Sequence, residues 1–405
     1  MSQRRVLVFS AGAVPHPESG ASVVLFYQYI EGLLRAGFKV HHLLIPKSKT
    51  DDEEEVARYR AQISPVGSIT IESAQCSNPI QRRFGGFRFD HKSLAEPLQR
   101  ASDFRADVFL GLDFLSYWAA EPLNFPFRMA WLGDLNFQTQ WFHALCQAKE
   151  QPVEVFRIPS AWKRARYWRE TYRQVLKTAD KVIVSSGSSV AQLQALEIQS
   201  SYHPYPWPHS PEKSMEAEST SQKEEPTFLF CGGLNALGAK SALLFILKQL
   251  HPRLLRIWGE QSFRIIIAGR GSPSGWARAA MADCKEIDFR GFVEDLDLVM
   301  AECHALIVPI DIPVGNRSRI VTALAKGWLV IAHRFTQAGN PDLKDGENCY
   351  LAEDAHSFAQ RMRMAYEDSD AVARVRSNAI TCYRENFLPE RAVARLIEEF
   401  PTPSD

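Results

Sequence analysis

The stretch Ile-Val-Pro-Ile-Asp-Ile-Pro-Val-Gly-Asn-Arg-Ser-Arg-Ile-Val-Thr-Ala-Leu-Ala-Lys-Gly-Trp-Leu-Val-Ile-Ala, residues 307–332, decides the fold. It completes a short apolar run from Ala305 to Pro309, the length and composition of a strand buried on both faces. Val314-Gly315-Asn316 then turns the chain into a helix, Arg317 to Lys326, and Trp328 to Ala332 returns as a second strand. A strand, a helix and a strand within so few residues make a βαβ unit, which requires a parallel sheet and a right-handed crossover.

The same alternation extends in both directions. Upstream, Thr227 to Cys231 reads as a strand ending in the turn Gly232-Gly233, with a helix from Ala239 to Leu250 after it. Phe263 to Ala268 is a strand closed by Gly269-Arg270-Gly271, Ile287 to Arg290 a short strand, and Asp295 to Cys303 a helix. Helices from Ala355 and Ala371 follow, and Pro389 to Phe400 is a separate amphipathic helix.

The first half has the same grammar. Arg4 to Ser10 reads as a buried strand, followed by a Gly/Pro-rich loop, Ala11 to Gly20. The next helix sets Val23, Phe26, Tyr27, Ile30, Leu33 and Leu34 at helical spacing and stops at Gly37, before a strand from Phe38 to Ile45. The acidic run Asp51 to Glu55 reads as a solvated helix start, and further strands are expected at Asp107 to Gly111, Arg128 to Leu132 and Lys181 to Ser185. Between the halves, Tyr202-His-Pro-Tyr-Pro-Trp-Pro-His209 resists helix and strand because proline removes donors and fixes φ. Ser210 to Pro226 has no large apolar residue except Met215 and cannot bury enough surface to order itself.

The expected layout is therefore two doubly wound α/β lobes facing across a cleft. The first spans 1–205, a flexible linker 206–226, the second lobe 227–386, and a separate C-terminal helix 387–405 follows. A chain of 405 residues suits two domains better than one core. Balanced totals of 47 basic and 47 acidic residues argue against a dedicated nucleic-acid binder. The apolar run at the start, Val6 to Phe9, is too short for a signal-peptide core, and no segment approaches a membrane span. Seven cysteines, odd in number and never in a Cys-x-x-Cys pair, read as reduced thiols without a zinc site or disulfide framework. These features predict a soluble, cytoplasmic protein.

Ligands of open parallel sheets sit at the carboxyl ends of strands, so the expected cleft is the default site. Neither lobe carries Gly-x-Gly-x-x-Gly after its first strand; the Gly12 region reads Ala-Gly-Ala-Val-Pro-His, which disfavours a nicotinamide or flavin dehydrogenase.

The second lobe resembles the retaining GT-B glycosyltransferases, in particular the large family 4, glycosyl transferases group 1. The resemblance rests on Phe-Cys-Gly-Gly-Leu-Asn (230–235), Ile-Ile-Ala-Gly-Arg-Gly (266–271), Asp-Phe-Arg-Gly-Phe-Val-Glu-Asp (288–295), the 307–332 block and Gly-Asn-Pro-Asp-Leu-Lys-Asp-Gly-Glu-Asn (339–348), in that order. In the first lobe only the opening strand–loop–helix and Leu-Lys-Thr-Ala-Asp-Lys-Val-Ile-Val-Ser-Ser (176–186) look similar. It implies a GT-B fold, a C-terminal helix 387–405 crossing back to the first lobe, and a nucleoside-diphosphate sugar as co-substrate, with no separate cofactor and no metal.

A diphosphate bound without a metal needs cationic side chains and the N–H groups of a helix N-terminus. Gly315 and Asn316 supply such a terminus, with Arg317 and Arg319 at its start, and glycine at 232, 233, 269 and 271 allows close backbone approach. Each also has a plainer reading, as surface arginines and simple turns. The chain departs from the family pattern as well. The two glutamates of an E-x7-E pattern align with Val314 and Thr322, the usual arginine with Gly233, and the usual lysine with Gly238, with Lys240 near but unmatched. A divergent subgroup is implied, in which Arg270, Arg317, Arg319 and Asp311 carry the donor.

Asp134, in Trp-Leu-Gly-Asp-Leu-Asn, and Asp113 each follow a strand; either orients a substrate hydroxyl or merely caps a helix. His16, in the Gly/Pro-rich loop, is a further catalytic candidate beside Asp134 and Arg319. Gln81-Arg-Arg-Phe-Gly-Gly-Phe-Arg-Phe89 reads as a loop whose Arg83 and Phe84 suit a sugar or lipid-phosphate acceptor. Trp162 to Tyr172 reads as a helix with one core face and one basic face, leaving a peripheral membrane role open. The expected activity is transfer of a sugar from a nucleotide-sugar to a saccharide or lipid-linked saccharide in surface polysaccharide assembly, at the inner face of a membrane. A nucleotide-sugar epimerase on the same fold, and a nucleotide-sugar-binding protein that has lost catalysis, stay open as alternatives.

Overall fold

The computed structural model describes residues 3–18, 21–46, 52–76, 79–83, 85–208 and 225–402. Most of the expected linker, and Phe84, lie outside the described residues. The chain groups into two compact units: residues 1–137, 163–209 and 386–405 form the first, and 138–162 with 210–385 the second.

The first unit is built on β1 (Arg5–Gly12), β2 (Lys39–Pro46), β3 (Ile69–Ser73), β6 (Val108–Leu112), β7 (Arg128–Leu132), β8 (Lys181–Val184) and β9 (Ser201–Tyr202), with a hairpin of β4 (Ile80–Arg83) and β5 (Gly86–Phe89) beside them. The large sheet runs β3-β2-β1-β6-β7-β8-β9, every neighbour parallel. Val6 to Phe9 are wholly buried, as expected of a central strand covered on both faces.

The hairpin corrects the expected loop at 81–89. Residues pair Ile80↔Phe89, Arg82↔Phe87 and Arg83↔Gly86, and Gly85 (φ +81°) makes the reversal. Phe87 and Phe89 share one face by strand alternation. They dock on Trp168 and Trp118, ring centroids 4.6 and 5.6 Å apart.

The second unit carries β10 (Thr227–Cys231), β11 (Arg264–Ala268), β12 (Ile287–Gly291), β13 (Ala305–Val308), β14 (Val330–His333) and β15 (Tyr350–Ala352). Its sheet is also all parallel, in the order β12-β11-β10-β13-β14-β15. The helix expected to end at Leu250 instead runs from Leu237 through a π turn, Ile246–Leu250, and on to Trp258. Pro252 lacks the N–H that would bond residue 248 and its ring crowds that carbonyl, so widening the preceding turn lets the helix continue.

Two segments join units that sequence order would not suggest. Most of the helix Asn136–Glu150 and the residues after it to 162 group with the second sheet. The helix Pro389–Glu398 packs in the first unit on the helix Ala21–Arg35. Gly32 makes that approach possible, since a Cβ there would fall 2.5 Å from Cγ2 of Val393.

Candidate functional site

In the second sheet the chain runs outward from β10 in one direction through β11 and β12, then resumes on its other side at β13. The carboxyl ends of β10 and β13 therefore flank a topological switch point, where open parallel sheets bind ligands. Three features converge there: the turn Gly232–Gly233 after β10, the turn Gly269–Gly271 after β11, and the helix Ser318–Ala325 after β13.

The two glycine turns interlock. Gly232 (φ +140°) and Gly269 (φ +149°) occupy backbone conformations that side chains rarely adopt. A Cβ on Gly269 would fall 1.7 Å from the Gly232 carbonyl oxygen, so no other residue fits. The N–H of Leu234 donates to the Arg270 carbonyl at 2.8 Å, locking the turns together.

Arg319 reaches this platform from the helix. Its guanidinium carbon lies 5.2 Å from the Phe230 ring centroid, and a Cβ on Gly232 would come within 2.4 Å of Nη2. Nη1 is buried with no hydrogen-bond partner among the described residues. Burial holds the guanidinium below its ordinary pKa and raises the thiol of neighbouring Cys231. A desolvated donor left unsatisfied is costly, so the side chain is poised for an anion.

Arg317 precedes the same helix, and its guanidinium carbon would be 3.8 Å from a Cβ on Gly238. Gly315 (φ +65°) makes the turn into it, and Asn316 accepts from Nη1 of Arg317 through its carbonyl at 3.4 Å. Asn340 is a residue the sequence reading missed. Its Oδ1 accepts the Arg317 N–H at 3.1 Å, while its buried Nδ2 has no partner among the described residues. The only sequence signal was its place between glycine and proline after the 307–332 block. Arg270 is exposed and lies over Phe292, 5.0 Å from the ring centroid.

Asp311 turns elsewhere. It exchanges two hydrogen bonds with Ser241, Oγ donating to Oδ1 at 2.7 Å and receiving the backbone N–H at 3.0 Å, and pairs with Lys149 at 3.7 Å. Lys240 sits 3.3 Å from Nε2 of His143, whose pKa is lowered by burial and then by that lysine. Both Lys149 and His143 come from the helix Asn136–Glu150, and no pattern in the sequence pointed to them.

In the first unit the switch point lies between β1 and β6, and Asp113 follows β6 directly. It caps the helix Phe114–Ala119, accepting from the Phe114 N–H at 2.6 Å, in a strained backbone conformation (φ +92°, ψ 156°). Such strain costs about 1–3 kcal/mol and concentrates at functional sites. Asp134, exposed after β7, shares its neighbourhood: burial first, then the Asp113 carboxylate and, more weakly, Asp134, push the Tyr172 hydroxyl well above its ordinary pKa. His16 accepts the Glu18 N–H through Nδ1 at 3.1 Å, and among the described residues no hydrogen bond joins it to another candidate. Arg83 is exposed at the hairpin tip; its neighbour Arg82 is the one seated over an aromatic ring, 5.4 Å from Tyr167. Among the described residues no group of three His, Cys, Asp or Glu side chains is arranged to hold a metal.

Residues 225–368 match the model of the family described as glycosyl transferases group 1. No curated protein matches the sequence significantly. Solved structures share the fold along nearly the whole chain at low identity. HepE from Anabaena, in complex with UDP and glucose, is 12% identical with a TM-score of 0.60, covering 97% of this chain and 98% of its own. Sucrose-phosphate synthase from Thermosynechococcus elongatus is 15% identical with a TM-score of 0.64 and 98% coverage of each chain. A TarM variant from S. aureus, in complex with Fondaparinux, alpha-GlcNAc-glycerol and UDP, is 8% identical with a TM-score of 0.65, covering 99% of this chain and all of its own. The platform of interlocked glycines and arginines thus lies within the stretch that matches the glycosyl transferases group 1 model, in a chain that shares the GT-B fold.

Proposed function

We propose that this protein transfers a sugar from a nucleoside-diphosphate sugar to a saccharide or lipid-linked saccharide, with retention of configuration and without a metal or cofactor, in surface polysaccharide assembly at the inner face of a membrane. The observation that carries the reading is the Arg319 guanidinium beside Gly232, just past the end of β10, whose buried Nη1 has no hydrogen-bond partner among the described residues. The UDP complexes of HepE and TarM support a uridine nucleotide as the donor carrier.

The chain lacks the arginine and lysine usual at 233 and 238, yet guanidinium groups lie beside that turn and beside Gly238. Arg319 and Arg317 supply from the helix the charge that the turn has lost. Together with the positive end of the helix dipole and Nδ2 of Asn340, they neutralise the diphosphate as it departs. In a retaining transfer of this kind the acceptor oxygen bonds the anomeric carbon on the face the diphosphate leaves, and its proton passes to the leaving phosphate oxygen. The residues here position both partners and stabilise the developing charge. Asp113 and Asp134 orient substrate hydroxyls.

Calorimetric titration with UDP and GDP, followed by assay of donor hydrolysis across a panel of nucleotide sugars, tests the reading. Saturable nucleotide binding and slow release of free nucleotide are expected. Absence of binding to either nucleotide would remove it.

A further inference from the structure

The second sheet ends on one side at β12, and among the described residues that strand pairs only with β11. The sheet's other end, β15, is buried throughout. On β12 the side chain of Phe289 is 41% exposed, and Phe292, just beyond the strand, is 56% exposed. Such an edge is a template for another strand, and Ile287-Asp288-Phe289-Arg290-Gly291 holds no proline or lysine to discourage one.

The backbone decides which polar groups the edge offers. The Ile265 N–H donates to the Glu286 carbonyl at 2.8 Å, so Glu286 and, two residues on, Asp288 direct their backbone groups toward β11. Phe289 alternates with them and turns its N–H and carbonyl outward. A bulge at Arg290 interrupts the ladder only beyond that point, where the Gly291 carbonyl takes the Gly269 N–H at 2.6 Å.

The side chains add a charge pattern. Asp288 and Arg290 share a face: Nε of Arg290 donates to Oδ2 of Asp288 at 2.8 Å, and its terminal nitrogens donate to Glu302 at 2.7 Å. The order acid, aromatic, base is its own complement. When two β12 strands pair antiparallel about Phe289, the two Phe289 residues exchange their outward hydrogen bonds, and Asp288 of each copy lies opposite Arg290 of the other. Lys285 and Glu294, exposed before and after the strand, are brought to the same ends of the pair. A two-fold contact of this kind closes on itself and stops at a dimer. A foreign strand would have to supply the matching order, whereas a second copy already carries it.

We propose that β12 is a self-association edge, through which two copies of this chain join antiparallel into one continuous sheet. The inference uses the sheet edge alone and is independent of the transferase reading.

Sedimentation velocity of the full chain over a range of concentrations tests it, and a monomer–dimer equilibrium is expected. Asp288→Lys and Arg290→Glu each set like charges opposite one another in their own homodimer, and each should weaken self-association roughly tenfold or more. Mixed in equal amounts, each variant presents the charge that the other lacks, and association should return as a heterodimer. Phe335→Ser, at an exposed apolar side chain elsewhere, should dimerise as the wild type does. A wild type that stays monomeric, single variants that dimerise undiminished, or a mixture that stays monomeric would each overturn the proposal. Hydrogen exchange reads the edge without any substitution: the Phe289 amide should slow as the wild-type dimer forms, and a dimer that leaves it unprotected lies on another surface.

Discussion

The Arg319 guanidinium occupies the space in which a side chain on residue 232 would stand: a Cβ built on Gly232 falls 2.4 Å from Nη2 and 2.6 Å from Cζ. Glycine at 232 and arginine at 319 are therefore one device, an open shelf and the cation laid on it. Nothing else in the described fold satisfies Nη1.

Arg319→Met separates ligand binding from stability. A charge-assisted hydrogen bond is worth about 1.5–3 kcal/mol, so UDP affinity should fall about 10- to 100-fold by calorimetry. Removing a buried charge that lacks a partner should leave the melting temperature unchanged or higher. Unchanged affinity with a lowered melting temperature would make Arg319 a packing residue.

Gly269→Ala tests the interlocked turns. Its Cβ would meet backbone at 1.7 Å with φ at +149°, so a loss of roughly 3 kcal/mol or more is expected in chemical unfolding. Gly275→Ala is the control: no atom lies within 4 Å of its Cβ, and it opens the helix Gly275–Ala282. That change should be neutral or stabilise by about 0.4–1 kcal/mol.

Asp113→Gly relieves a strained backbone at the expense of the carboxylate. Thermal unfolding should shift little or upward, since relief of about 1–3 kcal/mol offsets the lost cap of about 1 kcal/mol. Transfer rate should fall while UDP affinity holds, as expected of a carboxylate that orients a substrate hydroxyl and does not hold the nucleotide. A wild-type transfer rate in this variant leaves Asp113 as a cap alone.

His42 gives the first unit a pH dependence. It is fully buried between Ser10 and Tyr59, with hydrogen-bond distances of 2.8 and 3.0 Å, and burial, helped slightly by His41, lowers its pKa to about 3. An unfolded histidine titrates near pH 6.5, so between about 6.5 and 3 the unfolded chain binds the extra proton. The contribution is complete above pH 6.5 and is lost on acidification, at up to about 1.4 kcal/mol per pH unit. His42→Gln should flatten the unfolding free energy measured from pH 7 to 4. An unaltered slope would show that other groups carry it.

The sheets were legible because their strands are short apolar runs with glycine at the ends, and such signals are local. Residues 307–332 announce strand, helix and strand through composition alone, and the structure follows them closely. The pairing of Gly232 with Arg319 could not be read, since it depends on which strand ends the sheet order brings together. Asn340 was hidden for the same reason: its bond to Arg317 spans two helices and the strand between them. At 81–89 the arginines masked an alternation of Ile80, Phe87 and Phe89 that only docking on tryptophans makes apolar-inward. The helix read as ending at Leu250 instead passes through a π turn and on beyond Pro252.

The helix Pro389–Glu398, seated on Gly32, means that the first unit is assembled from segments made far apart in time during synthesis. A ribosome adding about 5–20 residues per second reaches residue 386 roughly 10–35 s after residue 209. For that interval the groove beside Gly32 has no Val393 to fill it, and an apolar helix face stays uncovered. Loss of the helix Pro389–Glu398 by a premature stop should therefore destabilise the first unit, although the change lies outside the donor platform.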